Sequence, residues 1–315
     1  MALLPALQAV LDSAASAARP DAGATIDELR ARAHESMLAT FLAFSGPPAP
    51  IARIDEHLAP VEGDKIRVRV YTPLGEPPFG VHVYFHGGAF WLGHPEHFDT
   101  GSCNLAAGAG CVVASVDYRL APEHPFPTPV EDCYAALQWV VANAPSLGVD
   151  PTRVSIGGGS AGGSLTAAVA LMARDRGGPD LALQVLEIPV TDLTMSQPSV
   201  VENGTGYLLT RESIAQYVDY YTPNPADRTS PYASPLLAAD LRGLPPALVT
   251  TMEYDPLRDE GESYARRLQE AGVPVSHRRW GGHFHGSMAF VTLCPDDAAE
   301  YHAYVADAVR RALES

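Results

Sequence analysis

Gly158-Gly-Ser-Ala-Gly162 follows a short apolar run that begins at Arg153 and opens a stretch, 161–175, with the texture of a helix. This is a G-x-S-x-G motif in a strand–turn–helix setting. A strand that reverses into a helix within so few residues strains the backbone at the serine. Bulk on either side of it would strike neighbouring strands, so glycines flank it. The Ser160 hydroxyl then stands at a helix N-terminus, where backbone amides favour developing negative charge. A phosphate-binding glycine loop is the competing reading, but no G-x-x-x-x-G-K is present.

Outward from this turn the chain alternates short apolar runs with helical stretches. Candidate strands are Val81–His86, Cys111–Asp117, Arg153–Gly158, Leu183–Pro189, Pro246–Met252 and Val275–Trp280. Helices are expected near 97–109, 129–144, 161–175, 257–271 and 296–313. Thr128-Pro-Val-Glu131 reads as a capping box that starts the second of these. Before them, Ile51–Leu58 and Lys65–Thr72 flank Val61-Glu-Gly-Asp64. The alternation of Ile66, Val68 and Val70 with Lys65, Arg67 and Arg69 predicts a two-faced hairpin at a sheet edge. Eight strands interleaved with helices predict an α/β fold, a mostly parallel sheet covered on both faces.

Two segments break this rhythm. Residues 1–45 read as helices, with Ile26, Leu29, Ala33, Met37 and Phe41 at three- and four-residue steps, and end at the stiff linker Ser45–Pro50. Val190–Leu241 is rich in Pro, Tyr and Thr and holds one good helix near 212–221. Together they predict a cap over the carboxyl edge of the sheet, where open α/β sheets place their sites. The expected division is therefore 1–45 as N-terminal cap helices and 46–315 as a catalytic domain with a cap insertion at about 190–240.

A second motif lies 74 residues before Ser160, where the strand from Val81 ends in His86-Gly-Gly-Ala-Phe90. A glycine pair at a strand end lets backbone N–H groups turn inward unobstructed. Donors from Gly87, Gly88 and Ala89, with the amide of Ala161 after the serine, would form an oxyanion hole. A serine also needs a base to take its proton and a carboxylate to orient that base. Both are expected later, at strand ends. Glu253-Tyr-Asp255 follows the strand from Ala247. Gly281-Gly-His283-Phe-His285-Gly286 follows the strand from Val275. Asp255 is the better acid, because Glu253 would alternate to the other face and Asp259 already sits in the next helix. His285, preceding a glycine, is the expected base, with His283 in reserve. A His283-x-His285 metal pair has no third ligand at a suitable spacing.

Composition narrows the class of function. The 315 residues carry 21 cations and 37 acids, a formal charge of −16, and 46% are hydrophobic against 18% charged. That composition excludes disorder, and no basic stripe is present to bind nucleic acid. Four cysteines, at 103, 111, 133 and 294, form no CxxC pair and read as buried thiols in a reducing, cytoplasmic compartment. Met1–Pro20 has the apolar start and A-x-A-like end of a secretory signal. It lacks a cation before Arg19, however, Pro5 interrupts it, and Asp12 ends it early. Leu4, Leu7, Val10 and Leu11 instead predict an amphipathic surface helix. No run reaches the ~20 apolar residues of a membrane span.

The chain resembles the hormone-sensitive-lipase-like carboxylesterases of the α/β-hydrolase fold. The resemblance is carried by His86-Gly-Gly-Ala-Phe90, Asp117-Tyr-Arg-Leu-Ala-Pro-Glu-His-Pro-Phe126, Gly158-Gly-Ser-Ala-Gly-Gly163, Asp255-Pro-Leu-Arg-Asp-Glu-Gly261 and His285-Gly286. It implies a Ser160–His285–Asp255 triad, an oxyanion hole from the Gly87–Ala89 amides and Ala161, and a two-part helical cap. Two positions depart from the family pattern: Ala89 stands for a third glycine, and Gly159 for the usual Asp or Thr before the nucleophile. The implied activity is hydrolysis of small apolar carboxylic esters through an acyl-enzyme, a chemistry that needs no metal or organic cofactor. A lactone or amide hydrolase on the same triad is the alternative. A binding-only homologue, like the plant gibberellin receptors that lack the histidine, fits less well. Phe90, Trp91, Tyr207 and Leu208 are the expected pocket walls. Arg119 is read among Asp117, Glu123 and Asp132 as an ion-pair clamp bracing the oxyanion loop. Many family members dimerise through the last strand and C-terminal helix. Here Asp296, Asp297 or Glu300 would have to face Arg278 and Arg279 across a two-fold axis.

Overall fold

The computed structural model describes residues 2–15 and 23–314. Helices α1 (Pro5–Ala15) and α2 (Ile26–Phe44) precede the hairpin β1 (Arg53–Val61) and β2 (Asp64–Thr72). There follow β3 (Phe79–Phe85), α3 (Asp99–Ala109), β4 (Val112–Asp117), α4 (Thr128–Ala142), the single turn α5 (Ala144–Leu147) and β5 (Val149–Gly159). Next come α6 (Ala161–Arg176), β6 (Leu183–Glu187), the single turn α7 (Ser199–Glu202) and α8 (Arg211–Tyr221). The chain closes with β7 (Ala247–Tyr254), α9 (Arg258–Glu270), β8 (Val275–Phe284) and α10 (Pro295–Glu314). The α/β reading and the eight expected strands hold. One sheet has the order β1-β2-β4-β3-β5-β6-β7-β8, antiparallel from β1 to β4 and parallel from there onward.

Strand residues alternate between two apolar layers, as the two-residue period requires. Val112, Ala114 and Val116 of β4 face the layer of α4, α6 and α9, whereas Val113 faces the layer of α3 and α10. Leu186 and Val249 join the first layer; Val185 and Leu248 join the second. Gly110 and Gly177, both left-handed, end α3 and α6 and satisfy the last helical carbonyls. Leu7 and Leu11 of α1 are buried against Phe284 and Phe290, so the apolar stripe near the N-terminus has its partner. Residues 16–22, which held the signal-like end and Arg19, lie outside the described residues. Among the described residues no helix is long and apolar enough to cross a membrane.

Two local expectations fail for physical reasons. Thr128 is the first helical residue of α4 rather than its cap, because Pro127 takes the cap position, and Glu131 reaches Arg176 instead, with both contacts at 2.7 Å. A capping box forms at Thr210, whose hydroxyl accepts from the Ser213 amide at the start of α8. Arg119 engages Asp132 alone of its three expected acids, donating at 2.9 and 2.6 Å. Asp117 turns to Arg67 and His94, and Glu123 to Arg30. At the β8 edge, Glu300 already holds Arg278 within the chain, and Asp297 holds His283.

Candidate active site

Ser160 occupies the turn between β5 and α6 with φ 57° and ψ −118°, a left-handed strained conformation for a residue with a side chain. The flanking glycines are sterically required. A Cβ on Gly158 or Gly162 would lie 2.3 or 1.9 Å from the Phe85 carbonyl oxygen. The Ser160 amide donates to the Glu187 carbonyl at 2.8 Å, and its carbonyl accepts from Ser164 and Val190 at 3.1 and 3.2 Å. No side chain at position 159 is needed to hold this turn, and a Cβ there would meet nothing nearer than 3.9 Å.

The loop after β3 turns sharply beside it. Gly88 has φ +128°, and its carbonyl accepts from the Trp91 and Leu92 amides at 3.1 and 2.8 Å. A Cβ on Gly88 would sit 2.1 Å from the Leu92 oxygen. The amides of Gly88, Ala89 and Ala161 make no hydrogen bond among the described residues, so they remain available as donors. The segment after β4 does brace this loop, through groups other than Arg119. The Tyr118 hydroxyl donates to the His86 carbonyl at 2.7 Å, and the Ala121 amide donates to the Phe90 carbonyl at 2.9 Å. His86 is fully buried and stacked on Tyr118; burial pushes its pKa down to about 4.

Two loops at the carboxyl ends of β7 and β8 complete the arrangement. His285 Nε2 lies 2.9 Å from Ser160 Oγ, and His285 Nδ1 lies 2.7 Å from Asp255 Oδ2. Asp255 is almost wholly buried, and its other oxygen accepts from the Leu257 amide at 2.8 Å, which fixes the carboxylate plane. The competing residues are occupied elsewhere. Glu253 accepts from the Gly282 amide, and Asp259 from the Ser199 amide. His283 is buried between Ser287 Oγ and Asp297 Oδ2, at 3.0 and 3.1 Å. Among the described residues no cluster of His, Cys, Asp and Glu could hold a metal ion.

A cavity of about 560 Å³ opens at Ser160 and His285, with mostly apolar walls. Of the four expected wall residues, only Trp91 lines it. Phe90 is fully buried and lies flat on Tyr221, ring centres 3.8 Å apart. Tyr207 packs on Tyr254 away from the cavity, and Leu208 points outward at 44% exposure. The next residue, Leu209, lines the cavity instead, with Tyr217 from α8 and Met37 from α2. Glu187, at the end of β6, is a wall residue absent from the sequence reading. A single acid closing an apolar strand was the signal that could have found it.

Residues 82–289 match the family described as alpha/beta hydrolase fold. The chain is 42% identical over 271 residues to carboxylesterase NlhH of Mycobacterium tuberculosis, covering 84% of this chain and 85% of the relative. It is 40% identical over 262 residues to an arylesterase of Saccharolobus solfataricus, covering 83% and 84%. Among solved structures, the hyperthermophilic esterase of the archaeon Pyrobaculum calidifontis superposes with a TM-score of 0.93 at 41% identity, over 99% of both chains.

Proposed function

The chain belongs to the hormone-sensitive-lipase-like carboxylesterases of the alpha/beta hydrolase fold and is a carboxylic-ester hydrolase; on that premise we propose how its own residues carry the reaction. Ser160 Oγ attacks the ester carbonyl while His285 Nε2 takes its proton. Asp255 accepts from His285 Nδ1–H, which fixes the tautomer and steadies the imidazolium. The amides of Gly88, Ala89 and Ala161, with Gly87 at the turn, receive the oxyanion. His285 returns the proton to the departing alcohol, leaving an acyl-Ser160 ester that water then hydrolyses with the same histidine as base. The observation that carries this reading is the unbroken path Ser160–His285–Asp255, 2.9 and 2.7 Å, opening on the cavity.

The natural substrates on this reading are small apolar esters, supported by the apolar walls and modest volume of the cavity. Residues 1–45 and about 190–240 act as the cap, because α2 and α8 both contribute to the cavity wall. A fluorophosphonate probe should label Ser160, and p-nitrophenyl esters of increasing chain length should show an optimum set by cavity volume. Failure to label would favour a binding-only protein.

The buried free thiols support a cytoplasmic location. A homodimer through β8 and α10 is supported by the position of β8 as the last strand of the sheet. Its arginines are neutralised within the chain, Arg278 by Glu300 and Arg279 by Glu262, which removes the repulsion between two such edges. Light scattering tests it: a mass near 33.5 kDa would exclude the dimer.

A further inference from the structure

Helix α7 is a single turn in the insertion between β6 and β7, more than fifty residues before Asp255 in the chain. Its first residue, Ser199, is fully buried. The Ser199 hydroxyl donates to the Pro256 carbonyl at 2.7 Å and accepts from the Asp259 amide at 3.1 Å. The Ser199 amide donates to Asp259 Oδ2 at 2.9 Å. Asn203, at the end of the turn and also buried, donates from Nδ2 to the Asp255 carbonyl at 3.1 Å. The same nitrogen lies 3.4 Å from the Glu253 carbonyl. Two carbonyls can only accept, which assigns this end of the side-chain amide as the NH2 group. Glu202 pairs with Arg258 at 2.7 Å and closes the contact on its outer side.

The Pro256 carbonyl and the Leu257 N–H belong to one planar peptide group. That N–H is the donor that holds Asp255 Oδ1 at 2.8 Å, while Oδ2 faces His285 Nδ1 at 2.7 Å. Among the described residues the Pro256 carbonyl takes its hydrogen bond from Ser199, and the main chain supplies it none. Rotating this peptide would break the bond from Ser199 and swing the Leu257 N–H off the carboxylate in the same movement. Ser199 thus fixes the plane that fixes the carboxylate. Asn203 holds the preceding peptide, whose Asp255 carbonyl also accepts from the Arg258 amide at 3.1 Å. The peptides on the two sides of Pro256 are therefore held by one side chain each.

We propose that Ser199, with Asn203 beside it, is a positioning residue for the acid of the triad: α7 holds the two peptides that aim the Asp255 carboxylate at His285. The proposal rests on Asp255 being that acid. It gives the insertion a second task besides covering the cavity. Neither residue is among those that line the cavity, so their loss should leave substrate binding intact.

The test is a double-mutant cycle on Ser199→Ala and Asp255→Ala, read with p-nitrophenyl butanoate after the parent has been labelled with a fluorophosphonate. Ser199→Ala should lower kcat about 10- to 100-fold, as for a catalytic group misplaced by up to about 1 Å, with KM within about twofold of the parent. Asp255→Ala should lower kcat about 10,000-fold. Without the carboxyl there is nothing left to aim, so adding Ser199→Ala to Asp255→Ala should change kcat by less than about twofold. A residue that only stabilises the fold would impose the same loss in both backgrounds. That result would overturn the inference, as would a parental kcat in Ser199→Ala, with or without a raised KM. Should Ser199→Ala not fold, Asn203→Ala carries the same cycle under the same criteria. A parent that does not label, or Asp255→Ala with parental kcat, would bring down the proposed mechanism and the inference with it, which sets that failure apart.

Discussion

The Ser160 amide donates to the Glu187 carbonyl at 2.8 Å, so the strained turn at the end of β5 is tied directly to the neighbouring strand. The turn is held by main-chain bonds and close contact, which makes its tolerance of added atoms position-specific. Gly162→Ala would drive a Cβ into the Phe85 carbonyl and should cost about 3 kcal/mol or more of stability. Gly159→Ala has room on all sides and should unfold within about 1 kcal/mol of the parent. Urea titration of the two variants checks the contrast; equal losses would mean that the turn is not defined by these contacts.

The two histidines of β8 and its following loop should separate cleanly by kinetics. His285→Ala should lower kcat by about four to six orders of magnitude with little change in melting temperature. His283→Ala removes a buried ring that bridges Ser287 and Asp297, and should lower stability by about 1–3 kcal/mol while most of kcat survives. The reverse pattern would reassign the base.

The contrast between these two residues also marks what could be read before the fold was known. Ser160 was legible because its neighbours had to be glycine, a requirement of backbone contact that sequence expresses directly. Asp255 over Glu253 was legible from strand alternation, since β7 runs through Glu253 and turns it toward Gly282. His285 over His283 rested on one glycine. The cavity wall was mostly illegible. Tyr207 and Leu208 sit two and one residues before the wall residue Leu209, in a stretch without regular structure, where side-chain direction follows no period. The partners of Arg119 were misjudged for a related reason: nearness in sequence does not fix which acid a long side chain reaches.

Acid should destabilise the fold through two histidines. Burial pushes the pKa of His82 down to about 3 and that of His86 to about 4, against about 6.5 when unfolded. The unfolded chain therefore binds protons first. Their contribution is intact above pH 6.5 and declines as pH falls toward 4, by about 2 kcal/mol each at pH 5. Glu187 and Glu260, whose pKa values are raised by burial, act in the opposite sense. The clean measurement is thus a difference: His82→Asn, which can keep the bond to Ser155, should shrink the pH 7 to pH 5 stability loss by about 2 kcal/mol. An unchanged loss would count against a neutral buried His82.

Helix α2 is fastened to the loop after β3 through Arg30 and through His34, whose Nε2 accepts from the Gly93 amide at 2.9 Å. Arg30 donates to the Trp91 and Ala121 carbonyls at 2.9 and 2.8 Å and pairs with Glu123. Arg30→Ala should raise KM for apolar esters several-fold and cost about 1–3 kcal/mol of stability, with fluorophosphonate labelling of Ser160 preserved. An unaltered KM would mean that α2 does not shape the cavity.

The order of the sheet has a consequence for the protein as it is synthesised. Ser160 and His285 are 125 residues apart, and β6, β7 and β8 are added outward from β5 in the order in which they leave the ribosome. At about 5–20 residues per second, some 6–25 s separate translation of Ser160 from translation of His285. Throughout that interval the nascent chain carries the glycine turn but nothing to deprotonate Ser160. On the proposed mechanism, hydrolysis switches on only with the closing strand, and a polypeptide terminated before residue 285 should be catalytically silent however well its earlier strands have docked.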